Sequence, residues 1–98
     1  MKVVWTHSAK LRLREIHQFY KPLSERAARL LVARLLFRTK QLRSFPLSGT
    51  VEELLKPMGK DHRYLVEGKY KIIYRVEGDV VYIEDVFDCR QNPTKMIP

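Results

Sequence analysis

The 98-residue sequence predicts an α+β fold: a short N-terminal strand, an antiparallel helical hairpin, then a three-stranded antiparallel meander completing one sheet. Three observations carry this. Apolar residues recur at steps of three and four from Ala9 to Tyr20 and again from Ala28, the period of one helix face. Pro22 and Pro46 punctuate those two stretches. From Arg63 to Phe87 the chain turns to alternating Val, Ile and Tyr, interrupted by two glycine-bearing breaks.

Val3, Val4 and Trp5 form the first β-prone stretch. Thr6 or Ser8 then offers an N-cap, and Ser8 is well placed for free N–H groups of the first turn. Ala9, Leu13, Ile16 and Tyr20 give that helix its apolar stripe, and Pro22 ends it by pushing its predecessor out of the α region. Ser24 caps a second, longer helix in which Ala28, Leu31, Leu35, Leu42 and Phe45 keep the spacing until Pro46. So short a connection makes the two helices antiparallel. Pro46 to Gly49 is turn chemistry, Glu52 to Leu55 one helical turn, and Pro57 to Asp61 a loop. Strands follow over Arg63 to Glu67, Tyr70 to Val76 and Val80 to Phe87, joined at Gly68 and Gly78. Trp5, Phe19 and Phe37 are expected in the core or at the hairpin interface.

A chain this short is expected to make one domain, residues 1–98, with 88–98 as a polar C-terminal tail. One cysteine, Cys89, excludes an internal disulfide, and nothing beyond Arg90 argues for a reactive thiol. His7, His17 and His62 lack metal-site spacing, so no metal and no cofactor is expected. The chain shows no signal region at its start and no apolar run able to cross a membrane, which makes the cytoplasm the expected location. The net charge of +8 is uneven. Residues 1–49 carry eleven Lys/Arg against two acids, residues 50–98 eight against nine. Such asymmetry suits a phosphate-rich or acidic partner, although a solvated helical surface rich in arginine gives the same pattern.

No nucleophile triad and no glycine-rich phosphate loop is present. Asp61 and His62 are adjacent on an extended chain and point to opposite faces, which argues against an acid–base pair. Lys71 and Arg75 share one face of a strand with Ile73 between them, while Tyr70, Ile72, Tyr74 and Val76 take the other. If the helices cover the tyrosine face, the basic face is open and can meet Arg63 or Arg90. Such a cluster suits RNA phosphates or the charge developed in phosphoryl transfer. The alternative pairs these cations with Glu67, Glu77, Glu84 and Asp85 on adjacent strands.

In this order the segments resemble the RelE/ParE toxins of bacterial type II toxin–antitoxin systems. Trp5-Thr6-His7-Ser8-Ala9 with Leu13 and Ile16 is similar to the family's opening, and Phe45-Pro46-Leu47-Ser48-Gly49 to its turn after the second helix. Arg63-Tyr64-Leu65-Val66 and Tyr70-Lys71-Ile72-Ile73-Tyr74 resemble its most characteristic stretch, with Ile83, Val86, Arg90 and Pro93 as the last strand and its exit. The resemblance spans nearly the whole chain. It implies a toxin held inactive by a cognate antitoxin, whose C-terminal segment wraps hairpin and sheet.

The family divides by target. RelE-like members cut mRNA in the ribosome with Lys/Arg residues and a C-terminal tyrosine or histidine, whereas ParE-like members inhibit DNA gyrase. Here Asp88-Cys89-Arg90-Gln91-Asn92-Pro93 is followed by neither His nor Tyr, and Val66-Glu67-Gly68 stands where RelE-like members carry arginine. Arg63 matches the ParE-like pattern; Asp88 departs from it, since many of those toxins have histidine there. The resemblance thus implies a gyrase inhibitor without bond-making chemistry. The alternative is a ribosome-dependent mRNA endonuclease using Arg63, Lys71, Arg75 and Arg90; a third is a non-toxic adaptor or decayed toxin. Residues expected at the target- or antitoxin-binding surface are Arg63, Tyr64, Lys71, Arg75, Arg90, Tyr20, Arg34 and Arg38.

Overall fold

The computed structural model describes residues 1–96. Strand β1 (Lys2–Trp5) leads into helix α1 (His7–Tyr20), which turns back as α2 (Glu25–Arg38). A two-residue strand β2 (Thr50–Val51) precedes β3 (His62–Glu67), β4 (Tyr70–Glu77) and β5 (Val80–Asp88). The strands form one five-stranded sheet in the order β1-β5-β4-β3-β2. The predicted meander is present as three antiparallel strands, and β1 closes the sheet by pairing parallel to β5.

Each hairpin turn has two residues. Glu67 pairs with Tyr70 and Glu77 with Val80, so Gly68 and Gly78 stand at the first central position. Both have positive φ, 58° and 61°, and no other residue type in the described chain does. A type II′ turn demands this of its first central residue, and only glycine adopts it without strain.

The helix ends differ from the sequence expectation. Thr6, not Ser8, caps α1: its Oγ1 accepts from Ala9 N at 3.2 Å, and its hydroxyl donates to Ile83 O at 2.9 Å. The cap therefore also ties the helix start to β5. Lys21 keeps α-region angles despite preceding Pro22. The helix stops instead because Leu23 N and Ser24 N both fold back to Tyr20 O. Ser24 caps α2 through Ala27 N as expected.

Helix α2 does not run on to Pro46. It ends at Arg38, where Thr39 N is shared by the Leu36 and Phe37 carbonyls, and a 3₁₀ turn continues over Thr39–Arg43. Tightening to about three residues per turn keeps Leu42 buried and carries Phe45 outward. Likewise the turn expected over 52–55 is a 3₁₀ segment, Glu53–Met58, with Glu52 as its cap.

The main core lies between the hairpin and one sheet face. Ala9, Leu13 and Ile16 of α1 and Leu35 of α2 pack on Leu65, Tyr70, Ile72, Tyr74, Ile83 and Val86, with Trp5 partly buried beside them. Phe19 and Phe37 are not core residues; each is 69% exposed, being off the buried helical stripe. The far sheet face is not open either. Leu55 and Met96 cover Ile73 and Phe87, with Tyr64 packed alongside, in a second small core. The expected polar tail therefore carries an apolar anchor at Met96; its residues 97 and 98 lie outside the described residues.

Candidate functional site: the sheet cations and the Tyr20 groove

Strand register decides which cations can act together. Residues directly opposite each other share a sheet face. Val66 pairs with Lys71, Tyr64 with Ile73 and His62 with Arg75, so these lie on the far face. Arg63 pairs with Tyr74 and faces the hairpin side, where Nη1 donates to Gly49 O at 3.0 Å and Leu47 O at 3.3 Å. Arg90 lies beyond β5. The four sequence-predicted cations thus do not form one open cluster.

Each far-face cation is held by a carboxylate. Lys71 Nζ donates to Glu52 Oε2 at 2.7 Å, and the Glu52 residue is 3% exposed. The same ammonium lies 4.4 Å from the Tyr64 ring centroid. Arg75 stacks over Tyr82 at 4.7 Å, hydrogen-bonds Glu77, and has Nε 3.0 Å from Glu84 Oε1. Burial opposes the Arg75 charge, but the Glu77 hydrogen bond and the charges of Glu84 and Glu77 outweigh it and raise its pKa. Glu84 is the extra residue of a bulge in β5, since Ile73 pairs with Asp85 and Tyr74 with Ile83. The bulge turns Glu84 to meet both Arg75 and buried His62, whose Nε2 lies 2.9 Å from Glu84 Oε1. His62 is 1% exposed and Asp61 exposed, as their opposite orientations require.

On the hairpin side, two open grooves meet at Tyr20 and Tyr70. One, of about 290 Å³, runs between α1 and the end of β5, with Ile16, Val86 and Phe87 among its apolar walls and Arg12 and Arg90 on its rim. The other, of about 270 Å³, lies between α2 and the β3–β4 turn, with Leu31, Arg34 and Lys69 in its lining. Lys69 hydrogen-bonds the Tyr20 phenol and sits 4.9 Å from its ring centroid. That hydrogen bond holds the Tyr20 pKa below the usual phenol range, while burial pushes Tyr70 up. Arg90 hydrogen-bonds Asp88 through Nε and Nη2 at 3.1 and 2.9 Å, which lowers the Asp88 pKa. Arg38 spans from Gln41 to the Val66 carbonyl, closing the β3 edge beyond the short β2.

This arrangement gives two surfaces of different character: a far face whose charges are internally neutralised, and a grooved face with apolar floors and cationic rims. Lys69 and Tyr70 belong to the second and were not singled out by sequence. Lys69 sits in a turn where any polar residue fits, and Tyr70 reads as a core residue of its strand. Among the described residues no group of three or more His, Cys, Asp or Glu could hold a metal ion, and no helix is long and apolar enough to cross a membrane.

The family model for the ParE toxin of type II toxin–antitoxin systems, parDE, matches residues 3–93. The chain belongs to that family. The fold agrees: a solved chain of the chromosomal ParDE TA system from P. aeruginosa is similar with a TM-score of 0.76 at 22% identity. That similarity covers 90% of this chain and 95% of the other. No curated protein matches. The features that carried the RelE/ParE resemblance have defined structural work in this ParE toxin. Thr6 joins α1 to β5, Arg63 secures the turn at Gly49, and Tyr74 receives a hydrogen bond from Gly49 N at 2.8 Å.

Proposed function

We propose that this ParE-family toxin acts in the cytoplasm by binding and inhibiting DNA gyrase, with no bond-making chemistry of its own. The observation that carries this is the commitment of the cations an RNA-cleaving site would need. Lys71 is bound to Glu52, Arg75 to Glu77 and Glu84, and Arg90 to Asp88. A cation neutralised in the ground state has little field left to offer a developing phosphorane charge. Residues 89–98 hold no His or Tyr to serve as a general acid or base.

Inhibition is relieved by a cognate antitoxin, the partner implied by membership of a two-component system. The grooves on either side of Tyr20 suit its neutralising segment. Apolar floors at Ile16, Leu31, Val86 and Phe87 offer burial, and Arg34 and Lys69 offer charge to acidic side chains.

Expression without the antitoxin, followed in parallel for chromosomal breaks and mRNA cleavage, tests the reading. The expected result is growth arrest with DNA damage and intact mRNA. Prompt ribosome-dependent mRNA cutting, or unimpaired growth, would overturn it.

A further inference from the structure

The positive charges of this chain fall into two structurally distinct sets. Those of the sheet are largely bound to neighbours, as the pairs above show, and on the hairpin Arg12 and Arg38 are also engaged. Lys10, Arg14 and Lys21 of the α1 segment, and Arg26 and Arg29 of α2, are exposed, and their side chains make no hydrogen bond or ion pair among the described residues. Steps of four and seven put Lys10, Arg14 and Lys21 on one helical stripe, and the short turn after Lys21 carries the tract on to Arg26. From Lys10 to Lys21 the stripe is about 16 Å long at 1.5 Å per residue.

We propose that this stripe binds the phosphate backbone of duplex DNA, so that the toxin engages gyrase together with the DNA it holds. The proposal deepens the gyrase reading and rests on it for that last step only. Three features select duplex DNA. Between Lys10 and Lys21 the stripe itself carries His17 and no exposed aromatic residue; Leu11 sits on one flank, Phe19 on the other lining the β5 groove, and Leu23 stands exposed in the turn beyond Lys21. A protein interface would centre on apolar or aromatic anchors, with lysine depleted. Single-stranded RNA would call for aromatic faces on which bases stack. Sparse, solvated, unpaired cations suit counterion release from a duplex, and about 16 Å matches roughly five base pairs of backbone.

Fluorescence anisotropy of the full chain with a 20-base-pair duplex tests this. Binding should be equal for unrelated sequences. With about five phosphates neutralised, affinity should fall several-hundred-fold between 50 and 200 mM salt, from a slope of about −0.9 per contact. The variant Lys10→Gln/Arg14→Gln/Lys21→Gln, checked for unchanged thermal stability, should lower that log–log slope by about three. The charge-matched control Lys56→Gln/Lys60→Gln/Lys95→Gln, on irregular segments away from the hairpin, should retain it.

No duplex binding at 50 mM salt would overturn the proposal, as would equal loss in the control, an unaffected triple variant, or tighter binding of single-stranded RNA or polyglutamate. Supercoiling assays on the same samples separate the two readings. Duplex binding without gyrase inhibition removes only the gyrase reading. Gyrase inhibition without duplex binding removes only the DNA-binding stripe.

Discussion

Replacing Gly49 by alanine should destabilise the chain by about 3 kcal/mol, combining overpacking strain with a weakened hydrogen bond. A Cβ there would lie 2.6 Å from Tyr74 Oη, 2.7 Å from Tyr74 Cε1 and 2.8 Å from the Tyr64 carbonyl oxygen. Neither neighbour yields easily. The Tyr74 ring is fully buried in the main core, and the Tyr64 carbonyl belongs to β3. Gly49 also donates its N–H to Tyr74 Oη and accepts from Arg63, so displacing it loosens the turn that delivers β2 to the sheet. Urea unfolding should show a lower midpoint with an unchanged slope. A loss below about 1 kcal/mol would mean the turn can relax away from Tyr74.

Lys71→Met should also be strongly destabilising, by about 2–3 kcal/mol, because it strands the Glu52 carboxylate beneath the far face. Among the described residues the Glu52 carboxylate keeps only the Leu54 N–H at 3.2 Å once the 2.7 Å contact with Lys71 is gone. The figure is set toward the lower end of the buried-pair range because the Lys71 side chain retains 21% exposure. Neutralising the partner as well, in Lys71→Met/Glu52→Gln, should recover most of the loss. A catalytic lysine behaves otherwise: its removal would abolish RNA cleavage with little change in stability, and the second substitution would rescue nothing. Denaturation midpoints of the single and double variants distinguish a structural pair from a catalytic group.

What was legible in the sequence follows from where each signal is stored. Strands β3 to β5 were readable because their Val, Ile and Tyr residues alternate locally and glycines mark both turns. The hairpin was readable from the Ala9–Leu13–Ile16–Tyr20 spacing and from Ser24. That same spacing sets Phe19 off the buried stripe, and Phe37 falls off the corresponding face of α2; expecting them in the core gave aromatic character more weight than periodicity. Strand β2 has two residues and exists through its pairing with Tyr64 and Arg63, so no local pattern announces it.

The site was less legible than the fold. The Lys71–Glu52 contact joins a strand to the cap of an irregular segment, and the sequence offered only carboxylates on adjacent strands. Arg75 is indeed held by Glu84 of the adjacent β5, and also by Glu77 of its own strand. Arg63 was set on the hairpin side by alternation relative to Tyr64, which the expectation of a shared basic face overlooked. The far-face cover comes from Leu55, inside the 3₁₀ segment Glu53–Met58, and Met96, which follows a 3₁₀ turn over Pro93–Lys95; neither has a periodicity by which a sequence could show it folding over a sheet. The charge imbalance of the first half was visible at once; which of its cations remain unpaired needed the structure.

The measurement that bears most directly on the account uses purified toxin against two targets in parallel: gyrase supercoiling relaxed plasmid, and ribosomes translating a defined mRNA. The account predicts loss of supercoiling at toxin concentrations comparable to gyrase, restored by the cognate antitoxin, with the mRNA left intact. Unimpaired supercoiling alongside toxin-dependent mRNA cleavage would contradict it.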